Sequence, residues 1–364
     1  MKKKRTLYPL TAVFVVLALL TGCGINKAST AENTPAGQTE ARGQEKAGEE
    51  KQNQGDSGTW RRVVKTWTRK DCTDAPFVVA EKLGFFKEQG IEVQYTGETQ
   101  PPQRIASILN GDNDVGTAHP NTLAIAREGG AKVRGVVRSI IEPPETITDI
   151  HLQHMWWVSD KNGPIQKFED IKKLNRKVKI GLLLRNACID FLTDILLEKY
   201  GISKDQIEYI TMPDIEQVVA LKRGLIDIAT PHPPFYKSIE DTGIANILVT
   251  SREIAGENAG TYLYYFSDKF IEENPETVKR FVKAIKKAER WANKNPEQTN
   301  KWTEEAIGVP VSANHYYSDD ARIDDQQIQV WIDGSIRSGA LPKDTKITVN
   351  DIITHEFDSY GNEE

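Results

Sequence analysis

Residues 111–120, GDNDVGTAHP, and residues 224–233, GLIDIATPHP, carry four residue types at one constant spacing. In each stretch a helical pattern ends at the glycine, a short apolar run follows the aspartate, and His-Pro precedes the next helical pattern. The repeat predicts two similar lobes with two histidines at equivalent positions. The matched pairs are Gly111 and Gly224, Asp114 and Asp227, His119 and His232, and Pro120 and Pro233.

The rest of the chain has the same strand-turn-helix order. Residues 63–67 and 91–95 read as strands, and the pattern between them reads as a helix. Such alternation is typical of parallel sheets flanked by helices, so we predict an α/β fold. We expect the first part of lobe 1 over residues 59–150 and lobe 2 over residues 151–243. Residues 244–364 should return to lobe 1 and end in a helical tail that packs on it.

The N-terminus has the layout of an export signal, because MKKKR is followed by an apolar run over residues 10–20. The run is short for a membrane span, and residues 20–23, LTGC, resemble a bacterial lipobox. The resemblance implies that residues 1–22 are a signal peptide and that Cys23 is lipidated. Residues 23–58 are polar and poor in large apolar residues, which predicts a disordered tether. The body would then be lipid-anchored on the extracytoplasmic face of the cell membrane; an uncleaved anchor would give the same topology.

Charge and cysteine content exclude two classes of protein. The formal net charge is −5, and removal of the four N-terminal cations Lys2, Lys3, Lys4 and Arg5 would bring it to −9, which argues against a nucleic-acid partner. Apart from Cys23, the cysteines are Cys72 and Cys188, too few for a disulfide scaffold. We expect a monomer without a cofactor.

Four turns should form the ligand site: residues 71–76, 119–121, 185–188 and 232–235. Each precedes a helix, and the free N–H groups of a helix start attract an anion or an electron-rich polar group. We expect Asp74 and Asn186 to be N-caps, and Pro120 and Pro233 to lie in the first helical turn. Ligands of open α/β sheets bind beyond the carboxyl ends of the strands, so the turns should face one shared cleft.

Several stretches resemble the nitrate, sulfonate and taurine type of solute-binding proteins that serve ABC importers. They are APFVVAEKLGFFKEQGIEVQ (75–94), IASILNGDND (105–114), AIAREGGAKVRGV (124–136) and LKRGLIDIATPHPPF (221–235). The resemblance implies a two-lobe periplasmic-binding-protein-like fold of type II and a non-enzymatic function. The protein would capture a small solute in the interlobe cleft and deliver it to the transmembrane permease subunits.

The turns and the resemblance together give the candidate ligand-binding residues. Trp156 is included because one of two adjacent strand tryptophans can face the cleft, and Tyr262 because it lies on the returning strand. Family members that bind sulfonates often have Ser, Thr or Gly where this chain has residues 185–188, RNAC, so a sulfonate or taurine-like solute and a heterocycle both remain open. The candidates are Asp71, Cys72, Thr73, Asp74, His119, Pro120, Asn121, Trp156, Arg185, Asn186, Cys188, His232, Pro233 and Tyr262.

The thiols leave further alternatives. We expect no metal site. As an alternative, two thiolates and two imidazoles can bind a soft metal ion, and the lipoprotein would then bind a metal or a metal chelate. These residues are Cys72, His119, Cys188 and His232. A disulfide between the two cysteines, or two inert buried thiols, are the other outcomes. The chain also resembles thiamine-pyrimidine synthases, enzymes that use Cys and His with iron, which is the enzymatic alternative.

Overall fold

A computed structural model describes residues 60–362 of the 364-residue chain. The predicted signal peptide, the lipidated Cys23 and nearly all of the tether lie outside these residues. The strands are β1 (Val63–Thr66), β2 (Glu92–Tyr95), β3 (Gly116–Ala118), β4 (Val133–Arg138), β5 (Ile140–Ile141), β6 (Trp156–Asp160), β7 (Val178–Leu182), β8 (Ile207–Thr211), β9 (Ile228–Ala229), β10 (Ala245–Thr250), β11 (Leu263–Ser267) and β12 (Tyr316–Tyr317).

The helices fall between these strands and then fill the C-terminal part. They are α1 (Ala75–Lys82), α2 (Phe85–Glu88), α3 (Arg104–Leu109), α4 (Pro120–Glu128), α5 (Cys188–Tyr200), α6 (Asp214–Lys222), α7 (Pro233–Glu240), α8 (Ser251–Ala255), α9 (Asp268–Glu273), α10 (Pro275–Lys294), α11 (Pro296–Ile307), α12 (Asp325–Ser338) and α13 (Val349–Ile352). Among residues 60–362, no helix combines the length and the apolar character needed to cross a membrane.

Lobe 2 is built on a five-stranded sheet in the order β10-β6-β9-β7-β8. Strands β9, β7 and β8 are parallel, as predicted, but β6 is antiparallel to both of its neighbours, β9 and β10. Strand β6 is the first strand after the chain enters lobe 2, and β10 is the last strand before the chain leaves it. The sequence did not predict the direction of β6, because an apolar pattern is the same for a strand of either direction.

The lobe 2 sheet extends to Thr250. The expected boundary at residues 243 and 244 therefore falls too early.

Lobe 1 contains the parallel pair β1 and β2 and a three-stranded sheet in the order β3-β11-β4. The late strand β11 is antiparallel to both of its neighbours, which are strands of the first part of the chain. The chain therefore crosses between the lobes twice, once between β5 and β6 and once after β10.

The repeated residues make equivalent contacts in both lobes. In lobe 1, Asp114 Oδ2 accepts a hydrogen bond of 2.8 Å from Lys65 N of β1 and an ion-pair contact of 2.7 Å from Arg61. In lobe 2, Asp227 Oδ2 accepts a bond of 2.8 Å from Lys179 N of β7. Arg176 pairs with the same Asp227 carboxylate at 2.7 Å. The repeated aspartate thus fastens each turn to the neighbouring strand, and this explains why both lobes carry it.

The C-terminal helices pack on both lobes rather than on lobe 1 alone. Helix α10 supplies Phe281 and Ile285 to the main lobe 1 core. Helix α12 supplies Ile328 and Ile332 to the second lobe 1 core, but its Trp331 belongs to the lobe 2 core. The prediction of a tail on lobe 1 was therefore incomplete. Pattern analysis shows that α12 has an apolar stripe but not that two lobes share it.

Replacing Gly334 with Ala tests this bridge. The added methyl group would lie 2.6 Å from Cδ2 of Phe191 on α5, and that ring is stacked on Trp331 with 4.3 Å between centroids. Alanine is the better helix former, but overpacking of a filled site costs about 1–3 kcal/mol and should prevail. We expect a lower Tm for Gly334→Ala and little change for the exposed Asp333→Ala on the same helix. An unchanged or higher Tm for Gly334→Ala would contradict this packing.

Candidate ligand-binding cleft

A cavity of about 230 Å³ lies between the lobes and is lined by residues of both. Two hydrogen bonds join the lobes beside it. Asn121 Nδ2 of α4 donates to the carbonyl of Ala187 at 3.0 Å, and Thr122 Oγ1 donates to the carbonyl of Asn186 at 3.0 Å. The start of α4 in lobe 1 therefore meets the start of α5 in lobe 2, as the predicted shared cleft requires.

Cys188 is the first residue of α5 and lines this cavity. Its Sγ lies 3.8 Å from Nε2 of His232, whose Nδ1 lies 3.0 Å from Oδ2 of Asp214. A carboxylate only accepts hydrogen bonds, so Nδ1 of His232 carries a proton and its Nε2 faces the sulfur. The result is a buried Cys-His-Asp chain within lobe 2.

His119 reaches the same sulfur from lobe 1. Its Nδ1 lies 2.8 Å from the carbonyl oxygen of Thr261, so Nδ1 donates and Nε2 is left for a partner in the cavity. The ring also stacks on Trp331 of α12, with 4.9 Å between centroids. His119 and His232 are both N-cap residues followed by proline, as the repeat predicts. Both line the cavity, so the two halves of the repeat meet at one site.

The two cysteines of the cavity differ in acidity. Burial by itself raises the pKa of Cys188, but the neighbouring imidazoles of His119 and His232 outweigh it and bring the pKa down to about 6. For His232, burial opposes protonation, whereas Asp214 and Cys188 raise its pKa. Cys72 has no such partners, and burial together with the charge of Asp71 raises its pKa well above the ordinary range. Both thiols are free, so no disulfide crosses the cleft.

Two further histidines, which the sequence analysis missed, complete a cluster. His154 lies between His119 and His232, at ring-centroid distances of 5.0 and 5.3 Å, and it lines the cavity. His315 stacks on His154 at 5.0 Å. The ring nitrogens of both residues have no hydrogen-bond partner within the described protein, and burial lowers both pKa values well below the ordinary range. The sequence feature that could have identified them is that each of the two histidines immediately precedes a short apolar strand pattern.

Glu142 connects the two crossings between the lobes. Its Oε2 accepts hydrogen bonds from Ser251 Oγ at 2.9 Å and from His154 N at 3.2 Å. Burial raises the pKa of Glu142 to about 7, although Ser251 and the backbone of His154 act in the opposite direction. The backbone of His154 is thereby fixed relative to the second crossing.

Half of the predicted site residues line the cavity: Cys72, His119, Arg185, Asn186, Cys188, His232 and Tyr262. The others do not contribute to its lining: Asp71, Thr73, Asp74, Pro120, Asn121, Trp156 and Pro233. Among the latter, the Asp71 carboxylate pairs with Arg104 at 2.7 Å and accepts from Thr73 Oγ1 at 2.7 Å. Its acceptors are therefore used within the protein.

The expected N-caps also need correction. Asp74 occupies the N-cap position of α1, but its side chain makes no capping hydrogen bond, and burial raises its pKa to about 8. Ala187, not Asn186, is the N-cap of α5. Asn186 adopts a left-handed conformation with φ 59°, which asparagine tolerates better than most residues. Pro120 and Pro233 do begin their helices, as predicted.

Trp156 faces a core and not the cleft. It stacks on Tyr236 with 3.6 Å between ring centroids, whereas Trp157 donates its Nε1–H to Thr193 on the other side of the sheet. The prediction that Trp156 and Trp157 lie on opposite faces of the sheet is confirmed. Strand β6 lies between β10 and β9 with a buried core on each face, so neither tryptophan is left for the cavity.

The sheets, the double crossing and the interlobe cavity define a two-lobe α/β fold of the binding-protein class. Residues 73–299 match the profile of the NMT1/THI5 like family, and the chain belongs to that family.

Curated relatives include both binding proteins and enzymes. YtlA of Bacillus subtilis, provisionally named a binding protein, is 23% identical over 302 residues, covering 78% of this chain and 84% of the relative. A provisionally named binding protein of Brucella abortus is 23% identical, and the match covers 61% of this chain and 64% of that relative's length. The 4-amino-5-hydroxymethyl-2-methylpyrimidine phosphate synthase THI13 of Saccharomyces cerevisiae is 25% identical, with coverage of 61% and 64%.

Solved structures of the same fold share little sequence with this chain. The nitrate-binding protein NrtA from Synechocystis PCC 6803 has a TM-score of 0.67 at 14% identity, covering 81% of this chain and 86% of its own. The alkanesulfonate-binding protein SsuA from Xanthomonas axonopodis pv. citri, bound to MOPS, has a TM-score of 0.65 at 14% identity, covering 82% and 99%. The desulfurization enzyme DSZB has a TM-score of 0.56 at 13% identity, covering 82% and 98%.

Alkylation by iodoacetamide tests the electrostatics of the cavity. Cys72 and Cys188 are equally buried, each 5% exposed, so a difference in rate reports mainly on thiolate content. We expect Cys188 to be labelled with a half-maximal rate near pH 6 and Cys72 to remain unlabelled at neutral pH. His232→Gln should move the Cys188 profile to higher pH. Peptide mass spectrometry measures both sites; similar profiles for the two thiols would contradict the proposed role of the imidazoles.

Proposed function

We propose that the protein is the solute-binding component of an ABC importer and captures a small organic solute between its lobes. The observation that carries the proposal is the cavity itself, since helix starts of both lobes and His154 of the crossing line one shared cleft. Binding that involves both lobes favours the closed arrangement over an open one, and closure is the state change that a permease can recognise. The names of the binding-protein relatives support the same function.

The lining favours an organic solute over a simple inorganic anion. Most of the wall is apolar, with Ile105, Ile140 and Leu184 among its residues. Its two arginine side chains already have carboxylate partners, since Arg104 pairs with Asp71 and Arg185 pairs with Asp190, each at 2.7 Å. His232 likewise pairs with Asp214. A nitrate or a bare sulfonate would have to compete with those carboxylates. A neutral heterocycle would use the apolar wall and the imidazoles directly.

A panel of solutes tests this function. We expect the protein, tested both as purified and after chelator treatment, to melt at a higher temperature with one class among alkanesulfonates, taurine, nitrate, bicarbonate, phosphonates, aromatic carboxylates and pyrimidines, because a ligand of the folded state stabilises it by RT ln(1 + [L]/Kd). The apolar wall favours the pyrimidines. A flat response to every member would argue against solute capture.

The interlobe hydrogen bond of Thr122 provides a matched pair of variants for the class that responds. Thr122→Val removes the hydroxyl that reaches the Asn186 carbonyl, whereas Thr122→Ser keeps it. Loss of one such bond costs about 0.5–1.5 kcal/mol, so the valine variant should bind roughly 2–10-fold more weakly by calorimetry. The serine variant should stay close to wild type. Equal effects of the two substitutions would mean that closure does not use this bond.

Attachment to the membrane through Cys23 forms part of the proposal and rests on the lipobox resemblance alone. The permease subunits would then meet a body that is held near the membrane by its tether, since acyl chains anchor a protein without a spanning helix. We expect the full-length protein to enter the detergent phase in Triton X-114 partitioning and Cys23→Ser to enter the aqueous phase. If the Cys23→Ser protein still enters the detergent phase, lipidation of Cys23 is not what anchors the protein, and the apolar residues 10–20 are the anchor instead.

A second function is favoured by one observation, the Cys188-His232-Asp214 chain at the start of α5. A thiol with a lowered pKa beside a carboxylate-oriented imidazole is the arrangement of a cysteine nucleophile. The pyrimidine synthases, which are sequence relatives, are enzymes, and so is the desulfurization enzyme, which has the same fold. Covalent modification of Cys188 by a solute of the panel, or turnover of that solute, would favour this function over capture.

A further inference from the structure

The cavity brings together more atoms that can ligate a metal than capture of an organic solute requires. His119, His154 and Cys188 each offer one ligand atom, and these three atoms lie within 4.8 Å of one another. All three residues are buried, with exposures of 3%, 1% and 5%. Neither ring nitrogen of His154 has a partner within the described residues. A buried polar atom without a partner is costly, so a cluster of this kind points to a group that the protein itself does not supply.

The hydrogen bonds around the cluster already hold the donors in ligating form. Nδ1 of His119 donates to the Thr261 carbonyl at 2.8 Å, which leaves Nε2 as the ring nitrogen that faces the Cys188 sulfur. A histidine that ligates a metal typically donates its other ring N–H to a carbonyl or a carboxylate in this way. The Glu142 carboxylate fixes the backbone of His154 through its bond of 3.2 Å. His232, oriented by Asp214, lies 3.8 Å from the Cys188 sulfur and stabilises it as the thiolate.

Donor chemistry selects the kind of ion. Two imidazole nitrogens and one thiolate suit Zn²⁺ and similar borderline-soft divalent ions, whereas Ca²⁺ and Mg²⁺ require oxygen ligands. Zn²⁺ prefers four tetrahedral ligands, and sites with three protein ligands leave a fourth position for water or a small molecule. The three donors line the solute cavity, so the fourth position would face the solute.

We propose that His119, His154 and Cys188 form a three-ligand site for a zinc-type divalent cation, which joins the two lobes and presents its fourth coordination position to the solute. The inference rests on the proposed function, since it names what the captured solute would contact. One ligand comes from lobe 1, one from the first crossing and one from lobe 2, so the ion would also hold the lobes closed. An electron-rich heterocyclic nitrogen or a thiolate of the solute would complete the coordination.

Cobalt substitution tests the site without any activity assay. The purified protein is treated with a chelator and titrated with Co²⁺, whose spectrum reports its ligands. We expect one equivalent to bind with the intense visible bands of four-coordinate cobalt and a thiolate-to-cobalt charge-transfer band. Zn²⁺ should displace it and abolish both. Absence of binding, or binding without the charge-transfer band, would overturn the proposal.

Matched variants assign the ligands. Cys188→Ser should remove the charge-transfer band, whereas Cys72→Ser should retain it, since Cys72 lines the same cavity at the same exposure but lies outside the donor group. His154→Gln should weaken cobalt binding beyond the roughly 10–100-fold loss that outer hydrogen-bond partners cause. The exposed His355→Gln should leave binding unchanged. Loss of the band in Cys72→Ser, or its persistence in Cys188→Ser, would contradict the assignment.

X-ray absorption of the zinc-loaded wild type covers the case in which a variant fails to fold. It should show one sulfur and two imidazole nitrogens around zinc, and a shell of oxygen and nitrogen alone would overturn the site. The solute panel, run on both the chelator-treated and the zinc-loaded protein, separates the two proposals. A solute response without metal uptake removes the metal site and leaves solute capture intact. Metal uptake with no solute response in either form removes solute capture, and the absence of both removes both.

Discussion

The contact between two helix starts, α4 in lobe 1 and α5 in lobe 2, is the constraint on which the rest of the site depends. Asn121 and Thr122 of α4 donate hydrogen bonds to the backbone just before Cys188. This contact brings the sulfur of Cys188 beside the imidazole of His119, although the two residues belong to different lobes. The interlobe cavity follows from this contact, and so does the part of the lowering of the Cys188 pKa that comes from His119.

The two-lobe design follows from the internal repeat, and the structure gives the repeat a physical reason. Asp114 and Asp227 each bind a backbone N–H of the neighbouring strand, so each turn is held against its sheet in the same way. Gly111 and Gly224 both adopt left-handed conformations, with φ of 77° and 66°, which glycine accommodates without strain. Each lobe can therefore present a His-Pro helix start at the same place, and two such lobes facing each other make one cavity.

Much of the fold could be predicted from the sequence because it is encoded locally. Apolar spacing located β1, β2 and the helical pattern between them, and Gly201 ends α5 in the left-handed conformation expected of a helix-terminating glycine. Strand direction is not local, so the antiparallel placement of β6 could not be predicted from the apolar pattern. The repeat predicted the part of the site formed by His119 and His232, and the helix-start turn at residues 185–188 predicted Cys188. His154, His315 and Glu142 join it through contacts distant in sequence, and no spacing rule brings those segments together.

The central claim is that one guest is held by both lobes at once. A crystal structure of the protein, purified from its own host without chelators and recorded with anomalous data, tests the claim most directly. The account predicts density within the interlobe cavity in contact with His119 of lobe 1 and Cys188 of lobe 2. Density that touches one lobe alone, or a guest bound elsewhere while His119 and Cys188 remain in contact with each other, would contradict it.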